Sequence, residues 1–264
     1  MNKLLFYFIL FFASLSTGFA QKTTSFFIEG GAARNSFQDL KYSNVSYGGL
    51  GAAFKIGFEK ESENHIWNVR LGSSFVKETS NTFSVGSATT FYPKMQFRFL
   101  KKINDKLSVG GQWDIIGLYF RRISNLTNNG RNYLASSDLM GSVNYQRGKF
   151  NFGLNLGLLS FQKELHGFAF SAPQVLLENG GFDYQAENIV NPFGFKYYTF
   201  FPLGKQLILQ TNISYQLGKR LSVAYNWSVR HFATVKNYPA TIGNHQVLIR
   251  YNLIHKVKEV AVKN

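Results

Sequence analysis

The sequence predicts an all-β chain, a transmembrane antiparallel up-and-down β-barrel of about 12 strands, with 10 or 14 as neighbouring possibilities. Three observations predict it. Apolar and polar residues alternate with period two over repeated segments of about ten residues, as in strands with one face in lipid and one in a lumen. The apolar faces are rich in Phe, Tyr and Trp, which make up 17% of the 264 residues, as lipid-facing bands and interfacial girdles are. The opposite faces carry mostly Gly, Ser, Asn and Gln, and only 16% of the chain is charged. The outer face of a soluble sandwich usually carries many more charges than that. A mean hydropathy of -0.13 fits such alternation and does not fit a helical membrane protein.

Residues 1–20 read as a signal peptide. Lys3 supplies the positive start, an apolar run follows, and Gly18 and Ala20 stand at the -3 and -1 positions of a small-residue cleavage site. Beyond Ala20 no apolar stretch approaches the roughly 20 residues a spanning helix needs. The longest, 115–120, is interrupted by Gly117. The expected organisation is therefore a signal over 1–20, a barrel over 21–254 and a short tail over 255–264. The expected location is integral in an outer membrane, with the chain termini periplasmic.

The strands justify themselves in order. Leu50, Ala52, Phe54, Ile56 and Phe58 oppose Gly51, Ala53, Lys55 and Gly57. Trp67, Val69, Leu71 and Phe75 oppose Asn68, Arg70, Gly72 and Ser74, and Phe91, Met95, Phe97 and Phe99 oppose Tyr92, Lys94, Gln96 and Arg98. One strand breaks the rule. Leu107, Val109, Trp113 and Ile115 share a face, yet Ile116, Leu118 and Phe120 continue on the other. A β-bulge near Ile115 accounts for this, and so does an apolar plug inside the barrel. The pattern resumes with Phe150, Phe152, Leu154 and Leu156, with Leu207, Leu209, Ile213 and Tyr215, with Leu221, Val223, Tyr225, Trp227 and Val229, and with Val247, Ile249, Tyr251 and Leu253. A one-residue slip would aim Arg70, Lys94 or Arg98 at lipid, at about 2–4 kcal/mol each near the midplane.

Short basic connections precede strands at 101–106, 147–149, 203–205 and 217–220, and longer polar ones fall at 37–44, 77–88 and 124–132. Short turns belong in the periplasm and long loops outside, which requires an even strand count. Eleven segments are plain, so 167–177 is taken as a hidden twelfth strand. That makes 203–205 an external turn and 178–191 a long periplasmic connection.

Chemistry is sparse. There is no cysteine, which excludes disulfides, thiolate metal sites and an acylated lipoprotein cysteine. His65, His166, His231, His245 and His255 lack a second ligand at metal spacing, and no phosphate loop or nucleophile elbow occurs. No cofactor and no catalytic residue is expected, and the chain is not expected to be an enzyme. The best catalytic candidate is His231 as a base toward a serine such as Ser228, with a girdle histidine as the plainer reading. The lumen says more. The alternation turns Lys55, Arg70, Lys94, Arg98, Lys196, Arg230 and Arg250 inward, with Asp114 and Asp138 against them. An excess of one sign attracts the other, so these basic residues are candidate anion contacts. Nucleic acid is not an expected partner for an outer-membrane barrel, despite a formal charge of +15.

The signal ending at Ala20-Gln21, the aromatic strands and the Leu-Gly-Lys turns resemble Bacteroidota-type outer-membrane barrels. Over about 149–254 the chain also resembles the PorP/SprF family. The stretch Gly167-Phe168-Ala169-Phe170-Ser171-Ala172-Pro173-Gln174-Val175-Leu176-Leu177 is similar to that family's Gly-aromatic-x-x-Ser-x-Pro-x-x-Leu-Leu segment. The Phe-Pro-Leu-Gly-Lys turn within 197–209 and the closing 244–251 are similar too. The family's N-terminal Asn-Pro-Ala-Tyr-like segment is missing, and the chain is shorter than usual for it. The resemblance implies a barrel component of the type IX secretion and gliding apparatus with periplasmic and lipoprotein partners. The leading expectation is thus a non-catalytic accessory or scaffold subunit of an envelope complex. It would contact outer-membrane lipid, lipopolysaccharide and one or more envelope proteins. The alternatives are a narrow anion-selective pore and a lipid-modifying enzyme.

Overall fold

A computed structural model of the chain describes residues 21–41, 45–80, 86–124, 130–168 and 198–257. The expected signal peptide, Lys196 and most of 167–177 lie outside them. The described chain is all strand: β1 (Gln21–Asp39), β2 (Ser46–Ser62), β3 (His65–Ser80), β4 (Ser87–Lys102), β5 (Leu107–Ser124), β6 (Gly130–Arg147), β7 (Phe150–Phe168), β8 (Thr199–Pro202), β9 (Gln206–Gln216), β10 (Leu221–Val235) and β11 (Tyr238–Val257). Each pairs antiparallel with its neighbours, and β1 pairs with β11, so the sheet closes on itself. Closure removes the unpaired strand edges that lipid does not tolerate.

The barrel has ten staves. β8 and β9 both pair with β7 and run in the same direction, so together they make one stave. β7 moves from Leu159 to Leu156 while its partner moves from Pro202 to Leu209. The surplus residues fold into a tight turn, in which the Lys205 amide donates to the Pro202 carbonyl at 3.1 Å. Gly204 takes φ +89° there, which a residue with a Cβ adopts only under strain. This corrects the expectation for 203–205, which interrupts a stave instead of ending one. Phe168 and Thr199 then lie at the same end of the barrel, the end of the long connections. A periplasmic placement of the 178–191 connection therefore does not fit the flanking strands.

Short turns, the start of β1 and the end of β11 share the other end. Ser62 Oγ accepts the His65 amide and donates to its carbonyl, both at 3.0 Å. Asn104 Oδ1 accepts the Lys106 and Leu107 amides at 2.9 and 2.8 Å, an Asx-type turn. Gly148 takes φ +58° as the first of two hairpin residues, where a type II′ turn needs glycine. β11 runs on to Val257, with Val257 opposite Thr23, so the first residues of the expected tail belong to the sheet.

The alternation is real on every stave. Leu248 is fully buried and its neighbour Ile249 is 57% exposed. Leu50, Phe54, Leu71, Phe75, Trp113, Leu154 and Leu156 are exposed on the outer face. Monomeric soluble proteins rarely leave so continuous an apolar belt in water. The strands are longer than a crossing requires. β3 has 16 residues and β11 has 20, where about 9–11 cross the hydrocarbon. The excess lies largely toward the long connections, and there the pattern inverts. Outward positions become Arg34, Ser36, Lys77, Thr79, Arg122 and Arg131, all exposed. Inward ones become Phe37, Tyr47, Ile123, Leu134, Phe232 and Ile242, packed as one buried cluster. The barrel is polar inside where it is apolar outside; where it projects beyond the belt the outside is polar and the inside holds this apolar cluster beside buried polar residues such as Glu78 and Arg121.

Of the two explanations offered for β5, the bulge holds. Gln96 pairs with Asp114 and Met95 with Ile116, which leaves Ile115 as the bulged residue. A second bulge sits on β7, where Leu139 faces Leu159 and Met140 faces Gly157. Ile116, Leu118 and Phe120 face outward and form no plug; the loop-end cluster draws on Tyr119 and Ile123 of β5 instead.

Candidate functional site

The candidate site is the lumen, built in three layers from strand positions that the register turns inward. Lys55, Arg70, Lys94, Arg98, Arg230 and Arg250 all take inward positions. The expected charge excess is much reduced, however, because Glu29, Glu59, Glu61, Glu78 and Glu164 face inward with Asp114 and Asp138. Sequence reasoning missed these carboxylates because they lie outside the apolar-alternating segments. Glu29 falls in the Gly- and Ala-rich β1, Glu59 and Glu61 follow the last apolar residue of β2, and Glu78 fell in an expected loop. Glu164 lies past the β7 bulge, which hides the strand's continuation.

The middle layer is a set of cross-lumen pairs. Lys94 Nζ lies 2.5 Å from Asp114 Oδ2. Gln96, Gln112 and Gln210 donate to the same carboxylate at 2.8, 2.9 and 2.9 Å, Gln210 reaching it from the far side of the ring. Arg230 donates to Asp138, which also accepts from Ser160 at 2.5 Å and Ser136 at 3.1 Å. Tyr92 and Tyr119 stack at 3.7 Å between these two groups. A space of only about 90 Å³ remains at this level. Lys94 and Arg230 are thus neutralised.

The loop-end layer shuts the barrel. Phe37 and Tyr47 stack at 4.8 Å, and the Arg121 guanidinium lies 3.4 Å over Phe37 while its Nε donates to Thr90 Oγ1 at 3.1 Å. Thr90 Oγ1 in turn donates to Glu78 at 2.8 Å. Lys41, in the turn after β1 and fully buried, lies 3.1 Å from Asp39 and 3.2 Å from Glu164 on β7. Burial by itself would lower the Lys41 pKa. Glu164 and Asp39 outweigh it, and the net direction is upward. Lys41 stays charged and ties the β1 turn to the opposite wall.

The third layer is open space. A cavity of about 590 Å³ occupies the short-turn end and reaches the turn residues Lys149 and Lys219. Arg70, Arg98, Arg250, Glu29 and Glu59 lie at its inner end. The Arg250 guanidinium lies 3.6 Å over the Phe27 ring. Phe27 in turn lies against Gly57, where a Cβ would come within 2.3 Å of the ring. Glu59 is 3.4 Å from Arg250 and 4.0 Å from Arg70.

His231 and His245 do not enter the lumen. His231 shares a hydrogen bond of 2.8 Å with Thr241 on the outer face, and Ser228 faces inward on the same strand, so a His231–Ser228 pair is geometrically excluded. His245 sits outside as well, 2.6 Å from the Tyr225 hydroxyl. Among the described residues no cluster of His, Asp or Glu could hold a metal ion.

No protein-family model matches the chain, and no curated protein matches it. Solved structures similar to it include the translocator domain of the autotransporter NalP from Neisseria meningitidis, at 13% identity and a TM-score of 0.48, covering 90% of this chain and 91% of that one. The outer membrane protease OmpT from Escherichia coli is similar at 7% identity and a TM-score of 0.45, covering 90% and 99%. An outer membrane channel from Pseudomonas putida F1 is similar at 8% identity and a TM-score of 0.40, covering 90% and 98%. All three are outer-membrane proteins of different activities. At these identities and scores the likeness bears on none of those activities.

Proposed function

We propose that the chain is a non-catalytic integral outer-membrane barrel whose lumen is closed, and that it works as an accessory or scaffold subunit of a cell-envelope complex. The observation that carries this reading is the filled lumen. Ten strands leave room for side chains and little else, and the Asp114, Asp138 and Glu164 pairs with the Phe37–Phe232 cluster take up that room toward the long connections. A barrel so filled, with no reactive constellation among its described residues, would work through its surfaces. The belt meets lipid and lipopolysaccharide. The short-turn rim, with Lys101, Lys106, Arg147, Lys149, Lys219 and Arg220, faces the periplasm with the termini and offers a basic surface to an acidic envelope protein. The resemblance of 149–254 to the PorP/SprF family favours a type IX secretion or gliding complex of Bacteroidota type.

The test is a tag inserted in the β5–β6 connection, extraction of native outer membrane in mild detergent, and mass spectrometry of the sized eluate. A stoichiometric envelope protein is the expected companion. A monomer that arrives alone overturns the subunit reading. A narrow anion-selective pore is the second reading, favoured by Arg70, Arg98 and Arg250 at the inner end of the cavity. It requires single-channel currents in planar bilayers that change selectivity on charge reversal at Arg70 and Arg98. Silence in bilayers removes it.

A further inference from the structure

We infer that the cavity at the short-turn end is a binding site for a small phosphorylated sugar or similar polyol phosphate, entered from the periplasmic side. The inference goes beyond the subunit reading and stands whether or not a partner protein exists.

The structure separates the lumenal cations into two groups. Lys94 and Arg230 each hold a close carboxylate of their own. Arg70, Arg98 and Arg250 do not. They crowd one patch of the cavity lining with Glu59 as their nearest counter-charge, and its distances of 3.4 and 4.0 Å are long for an ion pair. Arg98 has no carboxylate within ion-pair distance among the described residues, and Arg70 Nε is buried without a hydrogen-bond acceptor. Glu29 also faces the cavity, but it stands across the ladder from both Lys55 and Arg250, and Glu61 is held by Lys102. The balance at the inner end is therefore positive, and Lys149 and Lys219 at the rim have the same sign. A cleft with an excess of one sign and low-dielectric walls concentrates the opposite ion.

Geometry narrows the class. A guanidinium stacked on an aromatic ring is held by its face and leaves its edge for a ligand, and a planar donor fork matches the oxygens of a phosphate. Arg250 on Phe27 is such a platform, its Nε held by Asn252 at 3.1 Å and one terminal nitrogen 3.4 Å from Glu59, and it exists because residue 57 is a glycine. The remaining wall is amide and hydroxyl: Asn144, Asn151, Asn212, Ser214, Gln216 and Asn252 line it. Both donors and acceptors are present, as sugar hydroxyls require. The volume of about 590 Å³ lies within the range of small-molecule sites. The space narrows to about 90 Å³ at the Lys94 level, so a ligand of that size stops at the arginines.

The full-length mature protein in detergent would be titrated calorimetrically with glucose 6-phosphate, inorganic phosphate and glucose. Glucose 6-phosphate is expected to bind at least tenfold more tightly than glucose, and phosphate more weakly than glucose 6-phosphate. Arg98→Gln is expected to weaken glucose 6-phosphate at least tenfold, and Lys77→Gln, on the outer face, to leave it unchanged. The absence of cysteine provides a second readout that needs no bound ligand. In Ser214→Cys, an anionic methanethiosulfonate is expected to react at least tenfold faster than a cationic one, with Arg250→Gln reducing the ratio. No heat with either phosphate probe, equal affinity for glucose, or equal reaction of the two reagents overturns the proposal. If Arg250→Gln does not fold, Arg98→Gln, which breaks no ion pair, takes its place in both measurements.

Discussion

Arg230 on β10 reaches the Asp138 carboxylate on β6, three staves away around the ring, and both side chains are almost completely buried. Such a pair gains from the low dielectric only while it is whole, and removing one partner leaves an uncompensated charge that costs about 3–5 kcal/mol. Asp138→Leu is therefore expected to lower the unfolding free energy of the barrel by about 3 kcal/mol. The double change Asp138→Leu with Arg230→Met is expected to cost less than the single one. Urea unfolding in lipid vesicles, read as a double-mutant cycle, checks the coupling. Additive costs would mean that the pair does not hold the staves together.

Lys41 gives a prediction with a pH sign. Its folded pKa is raised above 10.5 by Glu164 and Asp39 against the opposing effect of burial. A raised cationic pKa contributes stability that is fully present below the unfolded value and is lost as pH climbs through the folded one. Lys41→Met is expected to destabilise the loop-end layer by about 3 kcal/mol at pH 7, since two carboxylates lose their buried partner. The difference between wild type and variant should stay level up to about pH 10 and narrow above 10.5. Hydrogen exchange at the β1 and β7 ends against pH is the measurement, and a difference that narrows toward acid instead would assign it to another group.

What was legible and what was not follows from where lipid acts on the sequence. Inside the belt one face must be apolar, so Leu50 to Phe58 and Leu221 to Val229 announced both their strands and their register, and Arg70, Arg98 and Arg250 were placed inward without coordinates. Beyond the belt that constraint lapses. Lys77 to Ser80 reads as polar loop yet pairs with β2 throughout and with β4 as far as Thr79, and Glu78 went unseen with it. The preference for twelve strands, with ten as an alternative, arises at one turn inside a stave. Leu203-Gly204-Lys205 has the composition of a turn and forms one, but nothing local says that the next segment continues the same stave. That is fixed only by β7, which pairs with both pieces.

The belt itself is testable by depth. Leu154 on β7 and Leu217 in the β9–β10 turn are both apolar and exposed. A charge on the lipid face costs about 2–4 kcal/mol at the midplane and about 0–1 near the interfaces. Leu154→Arg is expected to fall in the first range and Leu217→Arg in the second. Equal costs in vesicle unfolding experiments would place the belt elsewhere.

The bulge at Ile115 makes a prediction that runs against intuition about deletions. On β5 the inward positions are Ser108, Gly110, Gln112 and Asp114 below the bulge, and Gly117, Tyr119, Arg121 and Ile123 above it. Ile115 and Ile116 stand together opposite Ser137. Deleting Ile115 joins the two halves with unbroken alternation, so every other side chain keeps its face and only the local bend is lost. β10 has no such slack, since its pairing with β9 is continuous from Ser222 to Phe232. Deleting Tyr225 must turn one half over, either sending Trp227 into the lumen and Arg230 out of it, or inverting the residues before it. Arg230 in lipid alone costs about 2–4 kcal/mol, and Asp138 loses its partner as well. The Ile115 deletion is thus expected to give a folded barrel with the heat-shifted gel mobility of the parent, at a cost below about 2 kcal/mol. The Tyr225 deletion is expected to give none. A folded Tyr225 deletion, or an unfolded Ile115 deletion, would show that β5 and β10 do not differ in register tolerance as their pairing implies.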